Sequence, residues 1–350
     1  MRIAELAQDR NNNFNLIRFL AATAVLFAHS YALSGHPMEE PLLRWSNGAT
    51  HFGTLGVTLF FIISGFLVSK SFTERRTLAA FSAARALRIY PALIAATLFS
   101  AALAGALSTT AWRDFLIDSQ THRFVVANSI GWHARYYLPG AFADNPFPRA
   151  VNGSLWTIPV ELRMYVGCAI VGALTLFSRR MLFNAALIAG ATVFALRPDW
   201  FVPVSDLSAA RQLAFAFALG SFAWVNRDWI QLSPWVAAIA LLLLAINPGD
   251  IIRSALFIPL VAYALLTFAL HPKLRFASFN RLGDYSYGLY LYAFPIQQAL
   301  AYAQPGIGSL TLFAQAFALT LAAAICSWHG IEKPALDLKS TFGLTRLKPT

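Results

Sequence analysis

The stretch NLIRFLAATAVLFAHS, Asn15 to Ser30, is one that lipid accepts and water does not, except at two residues, Arg18 and His29. With its flanks it forms an apolar run over 15–34, close to the roughly 20 residues that a helix needs to cross the hydrocarbon of a bilayer. Comparable runs follow at 52–70, 86–107, 154–177, 181–197, 209–225, 233–247, 251–270, 284–303 and 309–328. The spacing predicts an all-α polytopic membrane protein with about ten transmembrane helices. Composition agrees. The 350 residues are 57% hydrophobic and only 12% charged, whereas a soluble domain carries about 25% charged residues.

Charge then sets the orientation. With the N-terminus cytoplasmic, seventeen of the 27 Lys and Arg residues fall in inner segments and eight in outer ones, while Arg18 and Arg163 lie within helices. Half of the outer eight share the one long loop, 108–153. An excess of Lys and Arg on the cytoplasmic side is the usual topological signal, so both termini are expected to be cytoplasmic. The net charge of +11 is then an orientation signal, and no nucleic-acid partner is required. The opening MRIAELAQDRNNNF has mixed charge and no small-residue cleavage site follows the first apolar run. The first helix is therefore expected to be retained rather than removed as a signal peptide. Cys168 and Cys326 both fall in apolar runs and read as small buried hydrophobes. No metal-ligand spacing, glycine-rich phosphate loop or fixed-period repeat is present. The organisation expected is one integral-membrane domain over 1–350, with its core at about 13–336, an extracytoplasmic loop at 108–153 and a basic cytoplasmic tail at 337–350.

Ionisable residues inside spans are expensive and commonly functional. Arg18 and His29 are eleven residues apart, which at ~100° per residue puts them on one helix face, about 16 Å apart along the axis. Such a face suits a long ligand threading the membrane, with a fixed cation at the inner end and a titratable imidazole near the outer one. The plainer readings are an arginine snorkelling to the inner headgroups and a hydrogen-bonded packing histidine. In NGSLWTIPVELRMY, Asn152 to Tyr165, Asn152 or Ser154 can cap the helix start, and Ser154, Glu161 and Tyr165 share one face. Arg163 points away from Glu161, since helix neighbours are three or four residues apart. Depth makes His29 a candidate partner for Glu161; an arginine elsewhere is the alternative.

On the inner side, SAARALRIYPAL carries Arg85 and Arg88 one turn apart at the mouth of the third helix, with Arg75 and Arg76 nearby. Positive-inside anchoring explains all four, yet arginine also favours planar, bidentate contacts to phosphate. Ser64 and Gly65 in GVTLFFIISGFLVSK point to close helix packing. In LGDYSYGLYLYAFPIQQAL, Tyr285, Tyr287, Tyr290 and Tyr292 form an interface belt or pack internally, while Gln297 and Gln298 are candidates to touch a polar substrate. The first part of the long loop, AWRDFLIDSQTHRFVVANSI, reads partly as an interfacial helix. Its second part, aromatic and rich in Pro and Gly, has the composition of a lid over a carbohydrate site, and equally of any ordered loop over a membrane.

Taken together, these stretches resemble the acyltransferase-3 family of integral-membrane acyltransferases. The resemblance rests on the Arg18–His29 spacing, FFIISGFL, RALRIYPAL, VNGSLWTIPVELRMY, SYGLYLYAFPIQQ and HGIEKPAL, in order along about residues 13–336. It implies ten core helices and transfer of an acyl group, often acetyl from cytoplasmic acetyl-CoA, to hydroxyls of envelope or secreted glycans. It further implies catalytic roles for His29 and Glu161 and coenzyme A contacts for Arg18, Arg85 and Arg88. Ser154, Trp156, Tyr165, Gln297 and Gln298 are the candidate substrate contacts. The short tail resembles the stand-alone form rather than one fused to an SGNH-type domain. One departure is Ala293 in YLYAFP, where many members carry histidine.

Geometry is compatible with this assignment, because an extended pantetheine arm is on the order of the same 16 Å of helix rise. The thioester can then reach His29 while the phosphates stay on Arg18, Arg85 and Arg88. A sugar hydroxyl needs a base in the transition state. A neutral histidine supplies one near pH 7, with a carboxylate to stabilise the imidazolium. Direct transfer and an acyl-histidine route both remain open. Expected partners are thus the glycan acceptor, acyl-CoA and membrane lipid, with no metal. The rival reading is a transporter or channel, since buried Arg, His and Glu also mark solute pathways; against it, no inverted repeat or paired broken helices are visible. A catalytically idle scaffold is the third reading.

Overall fold

The computed structural model describes residues 1–8, 11–75, 77–196, 207–246 and 250–341. Arg10, Arg76, Arg197, Arg346 and Lys348 of the orientation pattern, and 342–350 of the expected tail, lie outside the described residues. Each of the apolar runs is a helix: α1 (Phe14–Leu33), α2 (Phe52–Arg75), α3 (Leu78–Ala106), α4 (Thr157–Ala173), α5 (Arg180–Leu196), α6 (Leu207–Val225), α7 (Pro234–Ile246), α8 (Asp250–Leu270), α9 (Ser286–Ala303) and α10 (Ser309–Ser327). Among the described residues, five segments are long and apolar enough to cross a membrane: α1, α2, α3, Gly153–Ala173, which contains α4, and Ser309–Lys339, which begins with α10. The chain is an all-α polytopic membrane protein, and the described residues contain no β-strand.

Contacts between connecting segments fix which ends share a face. Near the N-terminus, the Ile3 amide donates to the Ile230 carbonyl at 3.1 Å, and Asn13 Nδ2 donates to the carbonyls of Phe268 and Leu274 at 2.9 and 2.6 Å. These define an N-terminal face. On the opposite, far face the Ser34 and Ser309 hydroxyls are 2.7 Å apart. Helices joined by short loops therefore alternate in direction.

Small residues set the closest packing, as expected where lipid offers no hydrophobic drive between helices. A Cβ on Gly65 of α2 would lie 1.9 Å from the Phe217 carbonyl oxygen of α6, and one on Gly220 of α6 would lie 2.1 Å from that of Ile62. The packing role expected of Ser64 and Gly65 thus falls to Gly65, while Ser64 lines a cavity.

Three local outcomes differ from the sequence pattern. First, α3 begins at Leu78, not 86, with Thr77 Oγ1 accepting from the Ala80 amide at 3.3 Å. The alanine-rich first turns are strong helix formers, and the apolar run misses them because it stops at Arg85. Both arginines therefore sit two to three turns inside the helix rather than at its mouth. Second, the chain continues past α10 through a π-helical turn, Trp328–Glu332, into a helix over Lys333–Thr341, which buries Glu332. Third, Cys168 is buried as expected, but Cys326 faces outward from α10.

The long loop is ordered over the far face. It contains two helices, Trp112–Ile117 and Ser119–Ile130, divided at Asp118, whose Oδ1 caps the Gln120 amide at 2.6 Å. A small core with Phe115, Phe124, Leu138 and Phe142 packs it onto the end of α3.

Candidate active site

A cavity of about 80 Å³ opens between α1, α2, α3, α4 and α9, lined by Arg18, Arg85, Arg88, Glu161, Tyr165 and Tyr287 among others. The three arginines singled out in the sequence are thus brought together, and Glu161 joins them. Its apolar wall is Val57, Phe60 and Phe61 of α2.

The arginines are not equivalent. Arg88 Nη2 lies 2.6 Å and Arg18 Nη1 3.4 Å from the same oxygen, Oδ2 of Asp284. Arg88 Nη1 is 3.7 Å from Glu332 Oε2. The other oxygen of Asp284 accepts from the Ser286 hydroxyl at 2.5 Å. Asp284 sits in the loop entering α9; burial pushes its carboxyl up, but Arg88, Arg18 and Ser286 outweigh this and hold it below the ordinary value of 3.8. Arg85, by contrast, has no ion pair among the described residues; its Nε is buried without a hydrogen-bond partner, and its guanidinium lies 5.8 Å from the Tyr165 ring centroid. Of the three it is the one that no carboxylate engages among the described residues, so an incoming anion meets no competing acid there.

Glu161 finds its partner one turn along its own helix: Tyr165 donates its hydroxyl proton to Glu161 Oε1 at 2.5 Å. No hydrogen bond joins Glu161 to His29 among the described residues. His29 lies near the far end of α1, outside the lining of the cavity. Its ring meets Phe294 edge-on at 5.2 Å, and its Nδ1 is buried without a partner. An orphaned polar atom of this kind in a native fold calls for an explanation, and a substrate hydroxyl is one. Arg163 stacks away from the cavity, 4.9 Å from the Trp132 ring centroid.

The candidate substrate contacts divide. Tyr165 belongs to the arginine cavity. Ser154 is buried with an unpartnered hydroxyl, and its carbonyl accepts from Tyr290 at 2.9 Å; Trp156 is half-buried. Gln297 donates to the Leu26 carbonyl at 2.8 Å and to Ser30 Oγ at 2.7 Å, beside His29, leaving its own oxygen unpartnered. Gln298 is fully committed to the long loop. It accepts from Asn145 at 2.7 Å and donates to the Phe147 and Ala150 carbonyls at 2.8 and 2.7 Å. Ala293 is buried in α9.

Reading the sequence missed Asp284 and Glu332, the two carboxylates that balance the arginines. Both stood in quoted motifs, Asp284 before the tyrosines and Glu332 in HGIEKPAL. An acid beside an apolar run that already needs partners for several arginines was the available signal. Of the four tyrosines, Tyr287 and Tyr290 line the cavity rather than forming an interface belt. Among the described residues no three His, Cys, Asp or Glu side chains gather as metal ligands would.

Comparison with known proteins gives two kinds of match. The acyltransferase domain family matches residues 11–329. An O-acetyl transferase of Shigella phage Sf6 is 29% identical over 83% of this chain and 86% of its own length. Nodulation protein 10 of Rhizobium leguminosarum bv. viciae is 29% identical over 98% of each chain. No solved structure matches significantly.

Proposed function

The chain belongs to the acyltransferase-3 family and is a multi-pass membrane acyltransferase, and on that premise we propose its donor, its acceptor and the side on which each binds. It takes an acyl group, acetyl first among candidates, from cytoplasmic acyl-CoA and delivers it to a hydroxyl of an envelope or secreted glycan. The N-terminal face is cytoplasmic, in keeping with its Lys and Arg excess, and the far face is extracytoplasmic, in the inner membrane.

The observation that carries this reading is the convergence of Arg18, Arg85 and Arg88 on one intramembrane cavity, with His29 on the same helix as Arg18 and about 16 Å further along. The unpartnered Nε of Arg85 fits an anionic donor head. When bound, acyl-CoA supplies an acyl group activated as a thioester. Arg85 takes a phosphate directly, while Arg18 and Arg88 are pre-oriented by Asp284 for planar contacts of the kind arginine favours. His29, through a neutral ring nitrogen, removes the proton from the acceptor hydroxyl as its oxygen attacks the acyl carbon. The carbon–sulfur bond of the thioester then breaks, and the departing coenzyme A thiolate takes that proton from His29 and leaves as the free thiol. Glu161 is assigned to favouring the imidazolium formed on His29 through its negative charge; in this structure it lies in the arginine cavity, bonded to Tyr165, and makes no hydrogen bond to His29 among the described residues. Ser154, Trp156, Tyr165 and Gln297 are assigned to substrate contact, and Gln298 to the loop that covers it.

The test uses membranes of the source cell with and without this protein, supplied with acetyl-labelled acetyl-CoA. Label entering glycan only when the protein is present supports the reading. Label that never enters glycan, with purified protein shown to be folded, overturns it.

A further inference from the structure

We propose that the far face carries a second site, a groove that binds a phosphate borne on a lipid tail. The groove, about 430 Å³, lies between the helix Ser119–Ile130 and the turn that follows it, and its polar lining is His122, Arg123, Trp132, His133 and Arg135. No carboxylate lines it. Arg123 and Arg135 make no ion pair among the described residues, and the nearest acid in sequence, Asp118, is turned to cap Gln120. The groove is also built rather than incidental. Asn128 clamps the backbone of Arg135 through two hydrogen bonds of 2.9 Å, and His122 Nε2 is 2.7 Å from the Leu116 carbonyl. At the end of the helix, Gly131 adopts φ +74 and a Cβ there would meet Leu162 at 2.9 Å, which seats the turn directly on α4.

The apolar part of the surface identifies a lipid as the occupant. Val126 and Ile130 share a face of the interfacial helix with His122 and Arg123, yet are 57% and 56% exposed. Beneath Trp132, Arg163 donates from Nη2 to the Trp132 carbonyl at 3.1 Å and leaves Nη1 without a partner. Arg163 heads an exposed stripe of α4, Val166, Gly167 and Ile170, spaced three, four and seven residues on. A stripe of this kind faces acyl chains, where an arginine is costly unless an anion or carbonyl meets it. Cations above an apolar track are complementary to an amphiphile with an anionic head, and a soluble phosphate would make no use of Val126, Ile130 or the α4 stripe. The aromatic Trp132 at the boundary between the two zones is the usual interfacial anchor.

The test measures binding to protein purified in neutral detergent, by native mass spectrometry, with phosphatidic acid, diacylglycerol of the same tails and inorganic phosphate as probes. Phosphatidic acid should be retained and the other two should not. The double variant Arg123→Gln, Arg135→Gln should weaken phosphatidic acid binding about tenfold or more, whereas Arg44→Gln, an exposed cation elsewhere in the far-face loops, should leave it unchanged. Both altered side chains of the double variant are exposed, so folding is not at stake, and the elution profile checks it. Equal retention by wild type and double variant overturns the proposal, as does retention of diacylglycerol or of inorganic phosphate to the same extent. Acyl-CoA takes no part in the measurement, so its outcome is independent of the donor assignment.

Discussion

Arg88 and Asp284, 196 residues apart in sequence, meet at 2.6 Å, and the same carboxylate oxygen reaches Arg18 at 3.4 Å. One acid thus ties α1 and α3 to the entrance of α9 and holds two guanidinium groups together at the wall of a small cavity. Removing one partner of such a pair leaves the other charge uncompensated, which costs about 3–5 kcal/mol when the group is buried. Asp284→Asn should therefore lower thermal stability in detergent clearly, and should raise the apparent KM for the acyl donor more than it lowers kcat. An unchanged melting temperature would show that the arginines do not depend on Asp284.

The same pair predicts an acid limit. Asp284 is held below its ordinary value of 3.8, so the unfolded chain takes up its proton first as pH falls. The stability contributed is fully present above that ordinary value and is lost as pH drops through the lowered one. Below about pH 4 the melting temperature should fall with pH, and that fall should be shallower in Asp284→Asn.

Glu161→Gln keeps an oxygen that can accept the Tyr165 hydroxyl while removing the charge. If Glu161 acts by stabilising positive charge on His29, kcat should fall by about 10²-fold or more with the melting temperature nearly unchanged. Near-normal turnover in a folded Glu161→Gln protein would remove Glu161 from the chemistry.

Gly65→Ala probes the packing that the site depends upon. The added methyl would stand 1.9 Å from a backbone oxygen of α6, which a side-chain adjustment cannot relieve. The cost should be at least the roughly 1–3 kcal/mol of an overpacked core, seen as loss of the monodisperse peak in size-exclusion chromatography. Gly167→Ala, where nothing lies within 4 Å, should be silent.

Gln298→Ala should free the long loop. Three hydrogen bonds disappear at once, each worth about 1 kcal/mol net and more where a partner is left buried. Limited proteolysis from the far side should then cut within 142–150, a segment that should resist cleavage in the wild type.

The membrane class and the helices were legible because an apolar run of spanning length has few other meanings, and α1 agrees with its sequence pattern to within a residue. Arg18, Arg85, Arg88 and Glu161 were legible as anomalies against that background, and the fold does bring them to one cavity. Partners were not legible. Asp284 and Glu332 reach the arginines through helix packing that no local spacing encodes, and depth alone points from Glu161 to His29, whereas the observed bond is to Tyr165, one turn away. Gln298 looked like a substrate contact because an amide in lipid demands partners; those partners come from the loop 108–153, whose path over the far face is a tertiary fact. Arg85 and Arg88 look like a helix mouth in the sequence because charges shorten an apolar run without ending a helix.

The central claim is that His29 performs the chemistry for a donor held by the arginine cavity. The most direct measurement compares wild type with an equally expressed, equally folded His29→Ala variant, in membranes supplied with acetyl-labelled acetyl-CoA, following label into glycan. The account predicts incorporation by wild type and a loss of about 10²-fold or more in the variant. Equal labelling by both would contradict it.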